Sequence, residues 1–340
     1  MTSIEENIAK EFGKGVMVGG QSIVDRKLQI IPWSPKADIC LSGGILEGTF
    51  IIFTGPPKGG KTIGALDIAA SAQNIKYACD IGQKEGRHVY YFNIEGRLKS
   101  RDLAGIRHLN VDESRFTVIK SSPGNILTAE QFMDISEKLI NEKPGDIFII
   151  DSFSALCTKG RRDADIGDRF RDDTPLLLGT WCKRIGNVIP INKSIVIGIT
   201  HLIANQGAGH AIWSEASGRK IQYQVDIKLR ITHFTPWKVG EEQIGQDVHW
   251  ECMTSAIGAP GGKFTSKYRY GYGIDDMAEV VELGVDLGLI QKGGAWFEFP
   301  DGKKAQGIEK ARDYLSSDKK MYDELYGQIR EMMGLENASC

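Results

Sequence analysis

The six cysteines of this 340-residue chain, at positions 40, 79, 157, 182, 252 and 340, form no CxxC pair and no Cys/His cluster at zinc-ligand spacing. This excludes a zinc ribbon and a dithiol redox motif, and the apolar neighbours of several point to reduced, buried thiols. No apolar run approaches the ~20 residues that a membrane-spanning helix needs. The N-terminal stretch has no leader-like apolar segment, so a soluble cytoplasmic protein with no membrane partner is expected. Basic residues are not in excess either. Lys and Arg number 42 against 44 Asp and Glu, a formal net charge of −2. Any nucleic-acid surface must therefore be a local patch. Internal repeats and low-complexity tracts are missing too. What remains, with 41% hydrophobic and 25% charged residues, is an ordinary globular composition, long enough for one large α/β domain and a smaller one.

Within it stands Gly55-Pro-Pro-Lys-Gly-Gly-Lys-Thr62, which fits the phosphate-binding pattern G-x-x-x-x-G-K-[ST] and follows the apolar run Thr49–Thr54. A buried strand that turns through glycines into a helix aims several backbone N–H groups at one point. Gly55, Gly59 and Gly60 permit a close backbone approach, and Pro56, Pro57 and Lys58 complete the turn. Lys61 is expected to reach the β- and γ-phosphates, and the Thr62 hydroxyl to ligate Mg²⁺. The nucleotide cradle thus runs from Gly55 to Ile63, where a helix over about 62–77 packs Ile63, Leu66 and Ala70 towards a sheet.

Short, nearly continuous apolar runs recur at 49–54, 88–93, 116–119, 146–151 and 194–199, as expected of parallel strands covered on both faces. Between two of them, Thr128 and Gln131 form a capping box before a stripe of Phe132, Ile135, Leu139 and Ile140, predicting a helix over 128–141. The alternation indicates α/β architecture with right-handed crossovers. After about 220 the pattern changes. Val225–Ile231 alternates with period 2, as an antiparallel strand with one solvated face would, and further strands are expected near 247–252 and 264–270. From Ile274 a helix through 277–289, an aromatic pair around 295–299 and two more helical stretches read as a small α+β appendage. The division expected is a 1–30 oligomerisation segment containing the amphipathic Ile4–Phe12, a 31–273 core, and a 274–340 C-terminal domain.

A phosphate loop needs a metal-side carboxylate at a neighbouring strand end, and Asp151 closes the run Ile147–Ile150. It is paired with Thr62 as the expected Mg²⁺ site. Hydrolysis needs a group to orient or deprotonate water, and Glu95 lies just beyond the strand 88–93, which is expected beside the phosphate-loop strand or one removed from it. His201 follows the strand 194–199, where it would sense the γ-phosphate or simply be a buried, satisfied histidine. Two polar segments leave the same edge, Asp163–Pro175 and Ile203–Lys220. Their Arg169, Arg171, Gly207, Gly209, Trp213, Arg219 and Lys220 suit backbone contact and base stacking on single-stranded DNA, although five aspartates weaken the first segment.

The order of these elements resembles the RecA recombinase family from about residue 5 to 330. Ile8-Ala-Lys-Glu-Phe-Gly-Lys-Gly15 is similar to the family's N-terminal helix, which docks on the neighbouring protomer. Asp151-Ser-Phe-Ser-Ala-Leu156 is similar to its strand-end D-S-x-x-A-L. Leu283-Gly-Val, Leu289–Phe297 and Gly307–Leu315 resemble its C-terminal domain, the most specific match. The resemblance implies a RecA-like P-loop ATPase core that binds ATP and Mg²⁺ and forms helical filaments on single-stranded DNA. It further implies pairing with homologous duplex DNA, with mediator and single-strand-binding proteins as partners. Glu95 stands at the family's water-activating glutamate, and the two polar segments fall at its DNA-binding loops. His201 replaces a glutamine and is similar to UvsX-type phage recombinases. Thr254-Ser-Ala256 stands where bacterial members place lysines that reach ATP across the subunit interface, leaving Lys263 or Lys267 as replacements. The aromatic that stacks on adenine in bacterial members is missing here, and Asp102 stands near its position. A hexameric RecA-fold helicase and an ATP-binding accessory protein share the phosphate loop, Asp151 and Glu95, but the helicase would lack the C-terminal match.

Overall fold

The computed structural model describes residues 3–79, 82–167, 173–205, 212–215, 221, 224–256, 258 and 260–335. One sheet of ten strands carries the fold. Its order runs Gly273–Ile274, Lys263–Arg269, Glu242–Ser255, Ile227–Val239, Phe50–Gly55, Ile195–Asn205, Ile147–Asp151, Val89–Asn93, Phe116–Ile119. Neighbours are parallel from Ile227–Val239 through to Phe116–Ile119 and antiparallel among the later strands. Ile212–Glu215 pairs antiparallel with the end of Ile195–Asn205. The fold class is thus α/β with a mostly parallel central sheet.

Continuous apolar runs form the central strands because both faces are covered. In Phe50–Gly55 every residue is buried. Ile51 and Phe53 face a core with Ala65, Leu66, Ile68 and Ala69 of the helix Lys61–Gln73. Phe50 and Ile52 face the opposite core, built from Phe132, Met133 and Ile140 of Ala129–Glu142 and Leu178, Trp181 and Ile185 of Thr174–Ile185. The Thr128–Gln131 capping box forms in both directions.

A third core, separate from these two, unites helices Asp276–Asp286, Gly307–Ser317 and Lys319–Met332 with a three-stranded sheet, Gln291–Gly293, Trp296–Glu298 and Lys304–Gln306. This unit is fastened to the rest by buried polar groups. Asp38 accepts from Tyr326 Oη at 2.6 Å and the Trp33 amide at 2.9 Å, with Arg330 Nη1 at 3.4 Å. Asp275 takes Arg269 Nε and Arg312 Nε, and Glu279 takes the backbone amides of Lys36 and Lys267. The N-terminal helix Ser3–Phe12 leaves Ile4 and Phe12 exposed.

Several boundaries differ from expectation. The phosphate-loop helix ends at Gln73, where the Asn74 side chain donates to the Ala70 carbonyl, and does not reach Tyr77. The strand expected at 194–199 continues to Asn205, so the second polar segment begins as a hairpin with Ile212–Glu215. Ile227–Val239 has no solvated face at its start. It pairs parallel with the phosphate-loop strand on one side and antiparallel with Glu242–Ser255 on the other, and even Lys228 is buried. The helix expected at 277–289 ends at Asp286. Helix Lys159–Asp163 extends into the start of the first polar segment. Of the thiols, Cys182 and Cys252 are buried but Cys157 is exposed.

At the opposite end of the sheet from the phosphate loop, Arg87 is fully buried. Its guanidinium donates to Glu47 Oε2 at 2.6 Å, to the Lys193 carbonyl at 2.9 Å and to Gln29 Oε1 at 3.0 Å. Removing one partner of such a pair strands a buried charge. Arg87→Ala is therefore expected to lower the free energy of chemical unfolding by about 3–5 kcal/mol. Lys76→Ala, which breaks the exposed pair with Glu85, should cost under about 1 kcal/mol in the same measurement.

Candidate nucleotide-binding site

The loop Gly55–Gly60 leaves the sheet at its carboxyl edge. Gly55 has φ 147° and lies so close to Ile231 that a Cβ would sit 2.8 Å from the isoleucine Cβ. Gly60 has φ 100°, and a side chain there would collide with the Tyr268 ring. Both positions thus require glycine twice over, for conformation and for space. Lys61, buried in the first turn of its helix, donates to the carbonyls of Gly55 at 2.9 Å and Pro56 at 2.7 Å. Burial pulls its ammonium down to about 8, while the carboxylates of Asp151 and Glu95 oppose that shift.

Thr62 Oγ1 donates to Asp151 Oδ2 at 2.7 Å, and Tyr91 Oη donates to the same oxygen at 2.5 Å. Burial raises the Asp151 carboxyl above its ordinary range, and these two donors resist the rise. The two expected Mg²⁺ residues are in direct contact although the strand that leads into the phosphate loop and the strand of Asp151 are not neighbours: Ile195–Asn205 lies between them. A hydroxyl that has given its proton to Asp151 keeps its lone pairs for a cation, so the donor set fits Mg²⁺, a hard ion that favours oxygen.

The sequence predicts Glu95 just beyond a strand that lies beside the phosphate-loop strand or one removed from it. Two strands intervene. It still lines the same cleft, because Val89–Asn93 pairs in register with Ile147–Asp151, Asn93 opposite Asp151. The amides of Ile94 and Glu95 then donate to the Asp151 carbonyl. Glu95 Oε1 accepts from Ser152 Oγ at 2.8 Å and from His201 Nε2 at 2.5 Å. An ionised carboxylate offers only acceptors, so Nε2 carries the proton. The hydrogen bond from His201 is the main force holding the Glu95 carboxyl down to about 2; burial works against it and Ser152 assists.

His201 lies inside its strand, not beyond it, and pairs with Gly55 of the phosphate loop. Its amide donates to Ser154 Oγ at 2.8 Å. Its Nδ1 is buried and has no partner among the described residues. The cleft enclosed by these groups measures ≈ 330 Å³ and reaches Leu98 and Asp102 on its outer side.

Tyr91 escaped the sequence argument, and Ser152 and Ser154 entered it only as parts of the strand-end motif, without roles of their own. The signal for Tyr91 was present, since a phenol in a buried strand needs a hydrogen-bond partner. Of the expected DNA-contacting residues, Arg169, Arg171, Gly207, Gly209, Arg219 and Lys220 lie outside the described residues. The Trp213 backbone is in Ile212–Glu215, opposite Ala204. Lys267 is already committed: it is buried, 3.0 Å from Asp247 and 3.1 Å from Glu282, and lies over the Trp237 ring. It is therefore not a spare cation for a neighbouring subunit's nucleotide. Lys263 is exposed, 3.6 Å from Glu251.

A glycine loop between a buried parallel strand and a helix, faced by strand-end carboxylates, defines a P-loop ATPase. The family model for the RecA N-terminal domain matches residues 1–275, and that for the RecA C-terminal domain matches residues 278–334. The chain belongs to the RecA family. It is similar to the protein RecA of Campylobacter hominis, 29% identical over 344 residues that cover 100% of this chain and 93% of the relative. The protein RecA of Streptococcus gordonii is 28% identical over 338 residues, covering 97% and 83%. That of Streptococcus pneumoniae is 29% identical over 336 residues, covering 96% and 82%. The chain is accordingly an ATP-dependent recombinase, a DNA-dependent ATPase that uses ATP with Mg²⁺, binds single-stranded DNA and assembles into homo-oligomeric filaments.

The Glu95 carboxyl titrates lower when folded than its ordinary 4.5. The stability it contributes is therefore complete above about pH 4.5 and drains away as pH falls towards about 2. His201→Ala removes the chief cause of that shift. Stability of this variant should fall less between pH 6 and pH 3 than that of the unaltered protein, measured by urea unfolding at both values.

Proposed function

We propose that Gly55–Ile63 holds the triphosphate, with Lys61 leaving the Gly55 and Pro56 carbonyls for the phosphate oxygens, and that Thr62 and Asp151 hold Mg²⁺. When bound, Mg²⁺ neutralises charge on the phosphates while the γ-phosphoryl group passes to water. Glu95 orients that water, and His201 governs when it does so. The observation that carries this reading is the Glu95–His201 hydrogen bond at 2.5 Å. A carboxylate held at about 2 is a poor proton acceptor, and its Oε1 is occupied. Turning His201 away leaves that oxygen to Ser152 alone and restores much of its basicity. His201 also pairs with Gly55 and continues through its own strand into the second polar segment, so a change at the phosphates has a short route, one strand pairing and a few residues of chain, to the DNA-contacting segment.

That segment, with Gly207, Gly209, Trp213, Arg219 and Lys220, and the first, with Arg169 and Arg171, serve as the single-strand contacts. Many weak contacts repeated along a filament offset the net charge of −2. The division at 1–30, 31–273 and 274–340 is supported by the exposed apolar face of Ser3–Phe12 and the separate C-terminal core. The histidine at 201 supports a UvsX-type phage recombinase acting in the cytoplasm of an infected host, pairing its filament with homologous duplex DNA alongside mediator and single-strand-binding proteins.

Glu95→Gln keeps a hydrogen-bonding side chain but loses the charge. It should still form filaments on single-stranded DNA with a nonhydrolysable ATP analogue under the electron microscope, while turnover drops by about 10²–10⁴-fold. Lys61→Ala should lose both. Retention of turnover in either variant refutes the assignment of roles.

A further inference from the structure

Tyr91 is 1% exposed. Its ring is layered against Phe116, with centroids 6.2 Å apart and planes inclined by 24°. Packing alone would be served equally by phenylalanine. The hydroxyl is what needs explaining, and it makes one described contact, to Asp151 Oδ2 at 2.5 Å. That oxygen also accepts Thr62 Oγ1 at 2.7 Å. Both protein donors therefore converge on one oxygen of the carboxylate, and among the described residues none reaches Oδ1. A carboxylate held by one donor rotates about its Cβ–Cγ bond; two donors on one oxygen, one from the helix Lys61–Gln73 and one from the strand Val89–Asn93, fix the plane. Backbone bonds from Ile94 and Glu95 hold the Asp151 main chain, leaving the side chain to Thr62 and Tyr91.

We infer that Tyr91 is a positioning residue for the metal-side pair: its hydroxyl fixes the Asp151 carboxylate so that Oδ1 faces the cleft and Thr62 keeps its lone pairs free. It acts through Asp151, the one described group its hydroxyl contacts. Groups that orient a metal-side carboxylate typically change metal affinity by about 10–100-fold when removed. The inference rests on the assignment of Thr62 and Asp151 to Mg²⁺, and its test separates the two.

Tyr91→Phe keeps the ring and its contact with Phe116. The measurement is binding of a fluorescent nonhydrolysable ATP analogue across a Mg²⁺ titration and in EDTA, with no DNA and no turnover, beside thermal unfolding without nucleotide. The Mg²⁺ concentration for half-maximal binding should rise about tenfold, with binding in EDTA and the unfolding midpoint little changed. An unaltered Mg²⁺ requirement overturns the role of Tyr91. So does an equal loss with and without Mg²⁺, which would mark a merely structural hydroxyl. Asp151→Asn serves as the reference. If it retains the unaltered protein's Mg²⁺ requirement, the metal-side assignment itself fails, and the role of Tyr91 fails with it.

Discussion

In a parallel sheet, hydrogen-bond register decides where the carboxyl end of each strand falls, and every group in this cleft depends on that alignment. Gly55 pairs with His201, and Asn93 with Asp151. The phosphate loop, the histidine, the metal-side carboxylate and the glutamate therefore emerge at one level although two strands separate the first from the last. A slip of one residue would turn each side chain to the other face of the sheet. Such a slip would also send into each core the side chains now packed in the other, among them those of Phe50–Phe53 and Ile147–Ile150. The hydrophobic cores on the two faces thus hold the chemistry in place without contributing an atom to it.

On that edge the electrostatics are divided between two carboxylates with opposite tendencies. Asp151 is pushed up by burial and steadied by hydroxyl donors, whereas Glu95 is drawn down by an imidazole N–H. Glu95, held down to about 2, is anionic near neutrality. Neutral donors around Asp151 leave its charge available to a cation. A partner capable of carrying charge makes Glu95 responsive to whatever moves His201. Lys61, parked on backbone carbonyls, counterbalances neither at contact distance.

Much of this could be read from the chain, and the parts that could not share a cause. Gly55–Thr62 is legible because its spacing is dictated by local geometry. The covered strands are legible because burial on both faces leaves no polar alternation, and the Thr128–Gln131 box because it is closed within four residues. Strand order is different. It is set by crossovers, so nothing local places Ile195–Asn205 between the phosphate loop and Asp151. The strand continued past Ile199 because pairing with Ile212–Glu215 outlasted the apolar run. Ile227–Val239 alternates like an exposed antiparallel strand, yet a parallel neighbour buries Lys228. Lys267 looked available because its partners Asp247 and Glu282 are distant in sequence. Asp151 could be picked out by its place after Ile150, but Tyr91 acquires its meaning from a residue 60 positions away.

The seam between the ATPase sheet and the C-terminal unit carries one more implication. Asp38, Asp275 and Glu279 are each 0% exposed and are satisfied by donors from across it or beside it. Apolar seams tolerate exchange, since any surface of similar shape will serve. A seam of directional bonds does not, because a foreign partner leaves buried carboxylates unmatched. The two halves are consequently poor candidates for shuffling between relatives. Tyr326, Arg330 and Arg312 have to be inherited together with Asp38 and Asp275, and lineages that recombine within this chain would keep the two sides as one heritable block.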